Sequence, residues 1–191
     1  MAIKVLAFAG SSRTESFNKK LVRVAAAGAR DAKAEVTEID LRDFPMPFYD
    51  GDLETSQGLP PNAQRLKELF LGHNALLIAS PEYNSGMSGL LKNTIDWVSR
   101  PVPGQPPLAT FLGKTAAIMS ASTGALGGLR GLIQLRMILS NINVIVLPDQ
   151  VTVPKAAEAF EAGGAIKDPA LHAKATGLGR KLVEISARLL S

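Results

Sequence analysis

Apolar residues fall in short unbroken runs separated by stretches of helical spacing. Ile3 to Ala9 is apolar except for Lys4. Such a run suits a strand covered on both faces, as in a parallel sheet. Asn18 to Arg30 then sets Leu21, Val22, Ala25 and Ala29 on one helical face, and Val36 to Leu41 alternates apolar with acidic residues as a second strand. Asp43 to Pro61 holds Pro45, Pro47, Pro60 and Pro61 with Gly51 and Gly58, which predicts a long loop of the kind that often carries function. Asn62 is the expected cap of a helix running to about Leu71, where Gly72 stops it, and Ala75 to Ala79 is a third buried strand. Ser80 to Met87 reads as a turn, and Ser88 as the N-cap of a helix carrying Leu90, Leu91, Ile95 and Val98. Pro101 to Pro107 forms a stiff connector. Thr115 to Met119 is a fourth strand, Ser120 to Gly128 a small-residue loop and Leu129 to Leu139 a helix. Val144 to Leu147 is a fifth strand, and Asp168 to Leu190 a closing helix with Leu178, Leu182, Ile185 and Leu189 on one stripe.

Strands alternate with helices throughout, with no internal repeat and no linker. The pattern predicts one domain over residues 1–191, of α/β class. Its core is a doubly wound, five-stranded parallel sheet with helices on both faces. In the strand order 2-1-3-4-5, ligands sit at the carboxyl ends of the strands, near the switch between strands one and three. That directs attention to loops 10–18, 80–87 and 120–128.

Composition narrows the chemistry. Of 191 residues, 46% are hydrophobic and 20% charged, a globular balance. The absence of Cys excludes disulfides, thiol catalysis, Cys-ligated zinc and Cys-bound iron–sulfur clusters, and two distant histidines, His73 and His172, offer little for a metal site or a general base. An enzyme of this composition borrows its chemistry from a cofactor. The net charge of +4, from 21 Lys+Arg and 17 Asp+Glu, lacks any basic run of nucleic-acid type and suits anionic small molecules. No apolar stretch approaches the roughly 18 residues of a membrane span, and the apolar start is too short for a signal peptide. The expectation is a cytoplasmic protein without nucleic-acid or membrane partners and without a metal.

The three loops carry the candidate site. Gly10-Ser11-Ser12-Arg13-Thr14-Glu15-Ser16-Phe17-Asn18 brings hydroxyls, a guanidinium and an amide to a helix N-terminus, where free N–H groups and the helix dipole favour phosphate. It matches neither G-x-G-x-x-G nor the NTPase phosphate loop. Pro81-Glu82-Tyr83-Asn84 ends the third strand, and a flat aromatic ligand could lie against it, with backbone N–H groups and the Asn84 amide at its edge. Ser120 to Gly128 is rich in small residues, expected to leave backbone N–H groups open to the polar edge of a ring or to an anion.

These residues carry a family resemblance. Gly10-Ser11-Ser12-Arg13-x-x-Ser16-x-Asn18, Pro81-Glu82-Tyr83-Asn84, Leu91-Lys92-Asn93-x-x-Asp96-Trp97 and Gly124-x-x-Gly127-Gly128 resemble the NAD(P)H-dependent FMN reductases, a flavodoxin-like family that includes quinone, chromate and azo-dye reductases. The likeness spans about residues 3–150. It implies FMN as cofactor, NADPH or NADH as co-substrate, small-molecule electron acceptors, hydride transfer through flavin N5 and a homodimer or homotetramer. By position, Ser11, Arg13, Ser16, Phe17 and Asn18 would hold the phosphate and ribityl chain. Pro81, Glu82, Tyr83 and Asn84 would line the isoalloxazine ring, and Ser120, Ser122, Thr123 and Gly124 would meet its pyrimidine edge. No side chain is expected to be catalytic. The helix from Ser88 to Ser99 would build the dimer, while Ile133 stands where one branch carries a tetramer-contact Tyr.

The rival reading is a flavodoxin-type electron carrier without NAD(P)H oxidation of its own, which the positive charge disfavours. A hydrolase lacks its G-x-S-x-G elbow here. His73 reads as a helix C-terminal cap and Asp50-Gly51-Asp52 as a solvated turn. Trp97 reads as core or interface, Arg100 as a contact for the cofactor's extra phosphate, and Met46 and Phe48 either as cover for a neighbour's flavin or as core.

Overall fold

The computed structural model describes residues 2–190. Its main sheet comprises β1 (Lys4–Ala9), β2 (Glu35–Asp40), β3 (Ala75–Ala79), β6 (Thr115–Ala121) and β7 (Ile145–Val153), all parallel, in the order β2-β1-β3-β6-β7. This is the 2-1-3-4-5 order of a flavodoxin-like α/β fold. The two short strands β4 (Glu82–Tyr83) and β5 (Gly86–Met87) form a separate antiparallel pair.

Side-chain alternation along the strands divides the core in two. Val5, Ala7, Ala9, Ala75, Leu77, Ala79, Ala117 and Ala121 face α1 (Phe17–Asp31) and α7 (Pro169–Leu190). Leu6, Phe8, Leu76, Ile78 and Ile118 face α3 (Pro61–Leu71), α4 (Gly89–Val98) and α5 (Leu129–Asn141). The first face is paved mostly with alanine, so α1 lies close to the sheet through its own Ala25, Ala26 and Ala29. The α1–α7 crossing is closer still. A Cβ on Gly28 would stand 2.0 Å from the Thr176 carbonyl oxygen, and one on Gly179 would stand 1.9 Å from the Ala25 carbonyl oxygen. Larger side chains on the other face are filled in by aromatic contacts such as Phe8–Phe70 and Phe70–Phe111.

Several boundaries differ from the sequence reading. The loop expected over 43–61 contains α2 (Gly51–Gln57), capped by Asp50 and ended by Gly58 at φ 73°. It buries no residue, so hydrophobic spacing gives no sign of it. α3 begins at Pro61 with Pro60 as its cap, whereas the Asn62 side chain donates to the Pro45 carbonyl at 2.9 Å. β2 ends at Asp40, and Leu41 opens a 3-10 turn. β7 runs past Pro148 to Val153, which an edge strand tolerates, with a register irregularity opposite Ala116 and Ile118. A one-turn α6 (Ala156–Ala159) and a bridge between Phe160 and Ile166 follow it. On α7, Leu178 and Leu182 are buried as expected, but Leu189 is exposed. Among the described residues no helix is long and apolar enough to cross a membrane.

The Lys92-Asn93-x-x-Asp96-Trp97 segment anchors the long connection after β2. Lys92 pairs with Asp96 at 2.7 Å along α4. Trp97 is fully buried and donates from Nε1 to the Pro47 carbonyl at 2.8 Å; Asn93 Nδ2 donates to the same oxygen at 2.9 Å and Asn93 Oδ1 accepts from the Tyr49 N–H. Met46 packs against the core, but Phe48 is 83% exposed, so core packing does not account for it. Arg100, the sequence-based candidate for the cofactor's extra phosphate, donates to the Tyr49 hydroxyl at 2.8 Å, stacks on its ring and stands 3.9 Å from Glu54.

Candidate functional site

The carboxyl ends of β1, β3 and β6 open together into a cleft of about 130 Å³. Ser11, Arg13, Ser16, Phe17 and Asn18 line it from the first loop, Pro81, Glu82 and Tyr83 from the second, and Ser122 and Thr123 from the third. Ala121, which sequence reasoning missed, completes the lining. Asn84, Ser120 and Gly124 do not line it.

The first loop is braced from several sides. Ser16 caps α1, its hydroxyl accepting from the Lys19 N–H, which leaves the first-turn N–H groups of Phe17 and Asn18 directed outward. Ser11 is buried, with its oxygen 3.4 Å from the Arg13 N–H. Gly10 donates to the Ala79 carbonyl and accepts from the Ser88 hydroxyl at 2.6 Å. A Cβ on Gly10 would stand 2.8 Å from Leu91 Cβ, so glycine lets the first turn of α4 press against this loop. Ser88 thus both caps α4 and ties it to the loop. Neither Gly10 nor Ser88 stands out in the sequence for this role.

Asn18 does more than face a ligand. Its Nδ2 donates to the Ala121 carbonyl and its Oδ1 accepts from the Ala121 N–H, both at 2.9 Å. This reciprocal pair joins the start of α1 to the end of β6 and sets the width of the cleft.

A second brace runs through Asp40. Lys19 Nζ donates to it at 2.6 Å, Arg42 donates from Nε and Nη2 at 3.1 and 2.9 Å, and Arg42 Nη1 reaches the Thr14 hydroxyl at 3.0 Å. Burial alone would raise the Asp40 pKa, but the Lys19 and Arg42 bonds outweigh it and hold the carboxyl at about 2, against 3.8 for a free aspartate. Because the folded value is the lower, this stabilisation is complete above pH 3.8 and is lost as pH falls from 3.8 towards about 2. Asp40→Asn is expected to cost about 2 kcal/mol at neutral pH, discounting for partial exposure, and to flatten that acid window in urea melts.

The second loop is a tight hairpin rather than a plain turn. Asn84 and Ser85 take φ of 50° and 65°, the left-handed pair of a two-residue connection, a backbone conformation that asparagine tolerates, and Asn84 does not line the cleft. Tyr83 is 53% exposed and offers its ring to a flat ligand. The Glu82 carboxylate accepts from the Gly131 N–H at 3.0 Å, in the first turn of α5, and so locks the hairpin to that helix.

The third loop spends part of its N–H groups internally and leaves those of Thr123, Ala125, Leu126 and Gly128 without an acceptor among the described residues. Ser122 donates to the Val153 carbonyl and Gly124 to the Ser122 hydroxyl. Ser120 is fully buried behind Gly128, whose Cβ would fall 1.8 Å from the Ser120 hydroxyl, so it supports the loop from below.

The donor set suits a phosphorylated, flat cofactor. Neutral hydroxyls, one exposed guanidinium and first-turn N–H groups converge where phosphate is favoured, and an exposed tyrosine ring lies across from them. The cleft is smaller than the roughly 300–1,000 Å³ that encloses a whole ligand, so it would enclose only one end of such a cofactor. A larger cavity of about 420 Å³ between α3 and Pro101–Gln105 has an apolar wall and a Lys67 ammonium committed to the Val98 and Arg100 carbonyls. It has no comparable set of phosphate donors. His73 is a cap in fact: Nδ1 meets the Leu69 carbonyl at 2.6 Å and Nε2 the Thr37 hydroxyl at 2.8 Å.

Known proteins resemble this chain over most of its length. The chain is 39% identical over 168 residues to the NAD(P)H-dependent FMN reductase PA1204 of Pseudomonas aeruginosa, covering 87% of this chain and 85% of that protein. It is 35% identical over 146 residues to the quinone reductase of Escherichia coli, covering 76% and 73%. The flavoenzyme FerB of Paracoccus denitrificans, an NAD(P)H:(acceptor) oxidoreductase, superimposes with a TM-score of 0.79 at 27% identity over 98% of each chain. The model of the NADPH-dependent FMN reductases matches residues 3–158, and the chain belongs to that family.

Proposed function

We propose that this reductase holds FMN in the cleft between the three loops and passes electrons from NAD(P)H to quinones, with free flavin, chromate and azo compounds as further acceptors. The observation that carries the reading is the convergence of Ser11, Arg13, Ser16, Tyr83 and Thr123 on one sheet edge, braced by Asn18 and Ser88. Ser11, Arg13, Ser16 and the first turn of α1 hold the phosphate. Pro81 and Tyr83 border the ring, and Ser122 with the Thr123 N–H faces its polar edge, where a donor stabilises developing negative charge. FMN held by these residues would supply the hydride and electron-transfer chemistry, so no protein side chain would need a titrating role. The shallow, open cleft supports a broad range of acceptors.

A cytoplasmic homodimer, or a pair of dimers, completes the proposal. Its support is the exposed Phe48, carried on the segment that α4 fixes through Pro47, and the exposed Ile133 and Met137 on α5.

The test is an absorbance spectrum of the purified protein followed by anaerobic NADPH. Oxidised-flavin bands that bleach, then recover with a quinone, are expected. Bands that persist would indicate a carrier. A chain that stays colourless after incubation with FMN would remove the cofactor assignment. Arg13→Ala is expected to weaken FMN retention about tenfold or more, read by flavin fluorescence on dilution, because a charge-assisted phosphate contact is lost.

A further inference from the structure

The pairing of β6 with β7 is interrupted at one place. Ala116 faces Val146 and Ile118 faces Gln150, so Ala117 of β6 is set against three residues of β7, Leu147, Pro148 and Asp149. An unbroken ladder would set Pro148 opposite Ile118 and Asp149 opposite Met119, on the face buried under α1 and α7. Looping out the extra residues keeps Pro148 and Asp149 exposed. The insertion is even-numbered, so inward alternation survives and Leu147, Val151 and Val153 all stay in the core. A bulge re-aims the strand beyond it, and here that stretch holds the third loop. Val153 accepts from the Ser122 N–H at 3.1 Å, Lys155 donates to the Gly124 carbonyl at 3.3 Å and Ala156 to the Ser122 carbonyl at 3.0 Å. Gly127, at φ 60°, lies so near that its Cβ would stand 2.8 Å from the Pro154 nitrogen. The course of β7 therefore decides where the Thr123 N–H is presented.

With Pro148 and Asp149 exposed, polar contacts must hold the looped-out residues. Lys181 of α7 pairs with Asp149 at 2.5 Å, but both side chains are nearly half exposed, and such pairs contribute little. Arg136 of α5 does more. Its Nη1 donates to the Leu147 carbonyl at 2.7 Å and reaches the Val146 carbonyl at 3.4 Å. Its Nη2 donates to Gln150 Oε1 at 3.1 Å and reaches the Pro148 carbonyl at 3.4 Å. All four acceptors belong to β7, and none is a carboxylate. A planar fork satisfies several oxygens in one fixed geometry, which a flexible ammonium does not. The same helix holds the second loop: Gly131, in its first turn, donates to Glu82 of the hairpin, and Arg136 follows by about 7.5 Å of helix rise. Thus α5 spaces the hairpin that bears Tyr83 against the strand that carries the third loop.

We propose that Arg136, which lies outside the cleft, is a positioning residue: by holding the β7 bulge it fixes the third loop against the polar edge of the flavin and so tunes the flavin's reduction potential. The proposal rests on the placement of FMN in the cleft. Negative charge gathers at that edge when the ring is reduced, so a donor held in place favours the reduced form over the oxidised one.

The test uses the full chain. Arg136→Met removes the fork, and Arg136→Lys keeps the charge and carries the test should the first variant fold poorly. Lys181→Met is the control for the exposed pair. Hydrogen exchange without added flavin reads the loop. In Arg136→Met the Ser122, Lys155 and Ala156 amides are expected to exchange about tenfold or more faster, with Gly10 and Glu35 unchanged and Arg136→Lys in between. Flavin titrations in both redox states read the use. Affinity for reduced FMN is expected to fall about tenfold more than affinity for oxidised FMN, which lowers the two-electron potential by about 30 mV. Lys181→Met should move neither reading; effects equal to those of Arg136→Met would overturn the assignment to Arg136. Equal acceleration at all amides would make Arg136 a residue of general stability and overturn the proposal. Unchanged loop exchange would overturn it too, as would faster loop exchange with an unchanged potential. A wild-type chain that takes up no FMN would overturn the flavin reading instead, and exchange would still decide whether Arg136 holds the loop.

Discussion

Gly179→Ala is expected to destabilise the protein by about 3 kcal/mol or more. The added methyl would lie 1.9 Å from the Ala25 carbonyl oxygen and 2.9 Å from the Ala29 nitrogen. Both are backbone atoms of α1, so no side chain can rotate away and the helices must part. Overpacking of an ordinary core costs about 1–3 kcal/mol, and a backbone-to-backbone collision belongs at or above the top of that range. For a chain of this size the melting temperature should drop by roughly 6–12 °C. Gly28→Ala meets the same crossing from the other side, 2.0 Å from the Thr176 oxygen. Once the helices have separated for one substitution, the second should add less than its own cost, which a double-mutant cycle measures. Gly177→Ala is the control. It lies in the same helix with nothing within 4 Å of its Cβ position, and should stabilise by up to about 1 kcal/mol through helix propensity. Equal losses at Gly177 and Gly179 would show that helix propensity, not the crossing, governs these positions.

Asn18→Ala is expected to lose most of the bound FMN and about 3 kcal/mol of stability together. The side chain is 3% exposed, and both of its bonds end on Ala121. Truncation leaves a backbone N–H and a carbonyl unpaired at the last residue of β6, and each such group costs about 1–3 kcal/mol. Asn18→Asp separates bracing from ligand contact. It keeps an acceptor for the Ala121 N–H but turns a carboxylate oxygen towards the Ala121 carbonyl, so the cleft should distort while the volume at residue 18 is preserved. Denaturant melts and flavin dissociation constants for both variants check this. Unchanged stability in Asn18→Ala, with flavin alone lost, would mean that Asn18 is only a ligand contact.

The contrast between these positions shows how much of the molecule was legible. The buried runs Lys4–Ala9, Ala75–Ala79 and Thr115–Ala121 announce central parallel strands, because a strand covered on both faces has no polar side to display. The helices α1, α4 and α5 follow from their apolar spacing and, for α1 and α4, from the serine caps Ser16 and Ser88. By contrast α2 buries nothing, and β7 is an edge strand interrupted by Pro148. Neither leaves a periodic trace for its full length. At the site, hydroxyls, an arginine and an exposed tyrosine were visible as residue types. Their division of labour was not, since Ser120 is sealed behind Gly128 and Asn84 sits in a left-handed turn and does not line the cleft.

Taken alone, the order of residues determines the strand and helix succession, hence the α/β class and the sheet edge where the proposed site lies. It also determines that a chain without cysteine and with two distant histidines must draw its redox chemistry from elsewhere. Both are properties of local pattern and of composition. Only the tertiary structure decided that Asn18 braces Ala121, that Ser88 holds Gly10, that Trp97 and Asn93 share the Pro47 carbonyl, and that Arg100 belongs to Tyr49. Each of these pairings joins residues far apart in the chain. Their free energy depends on distance and burial after folding, quantities that sequence spacing does not contain.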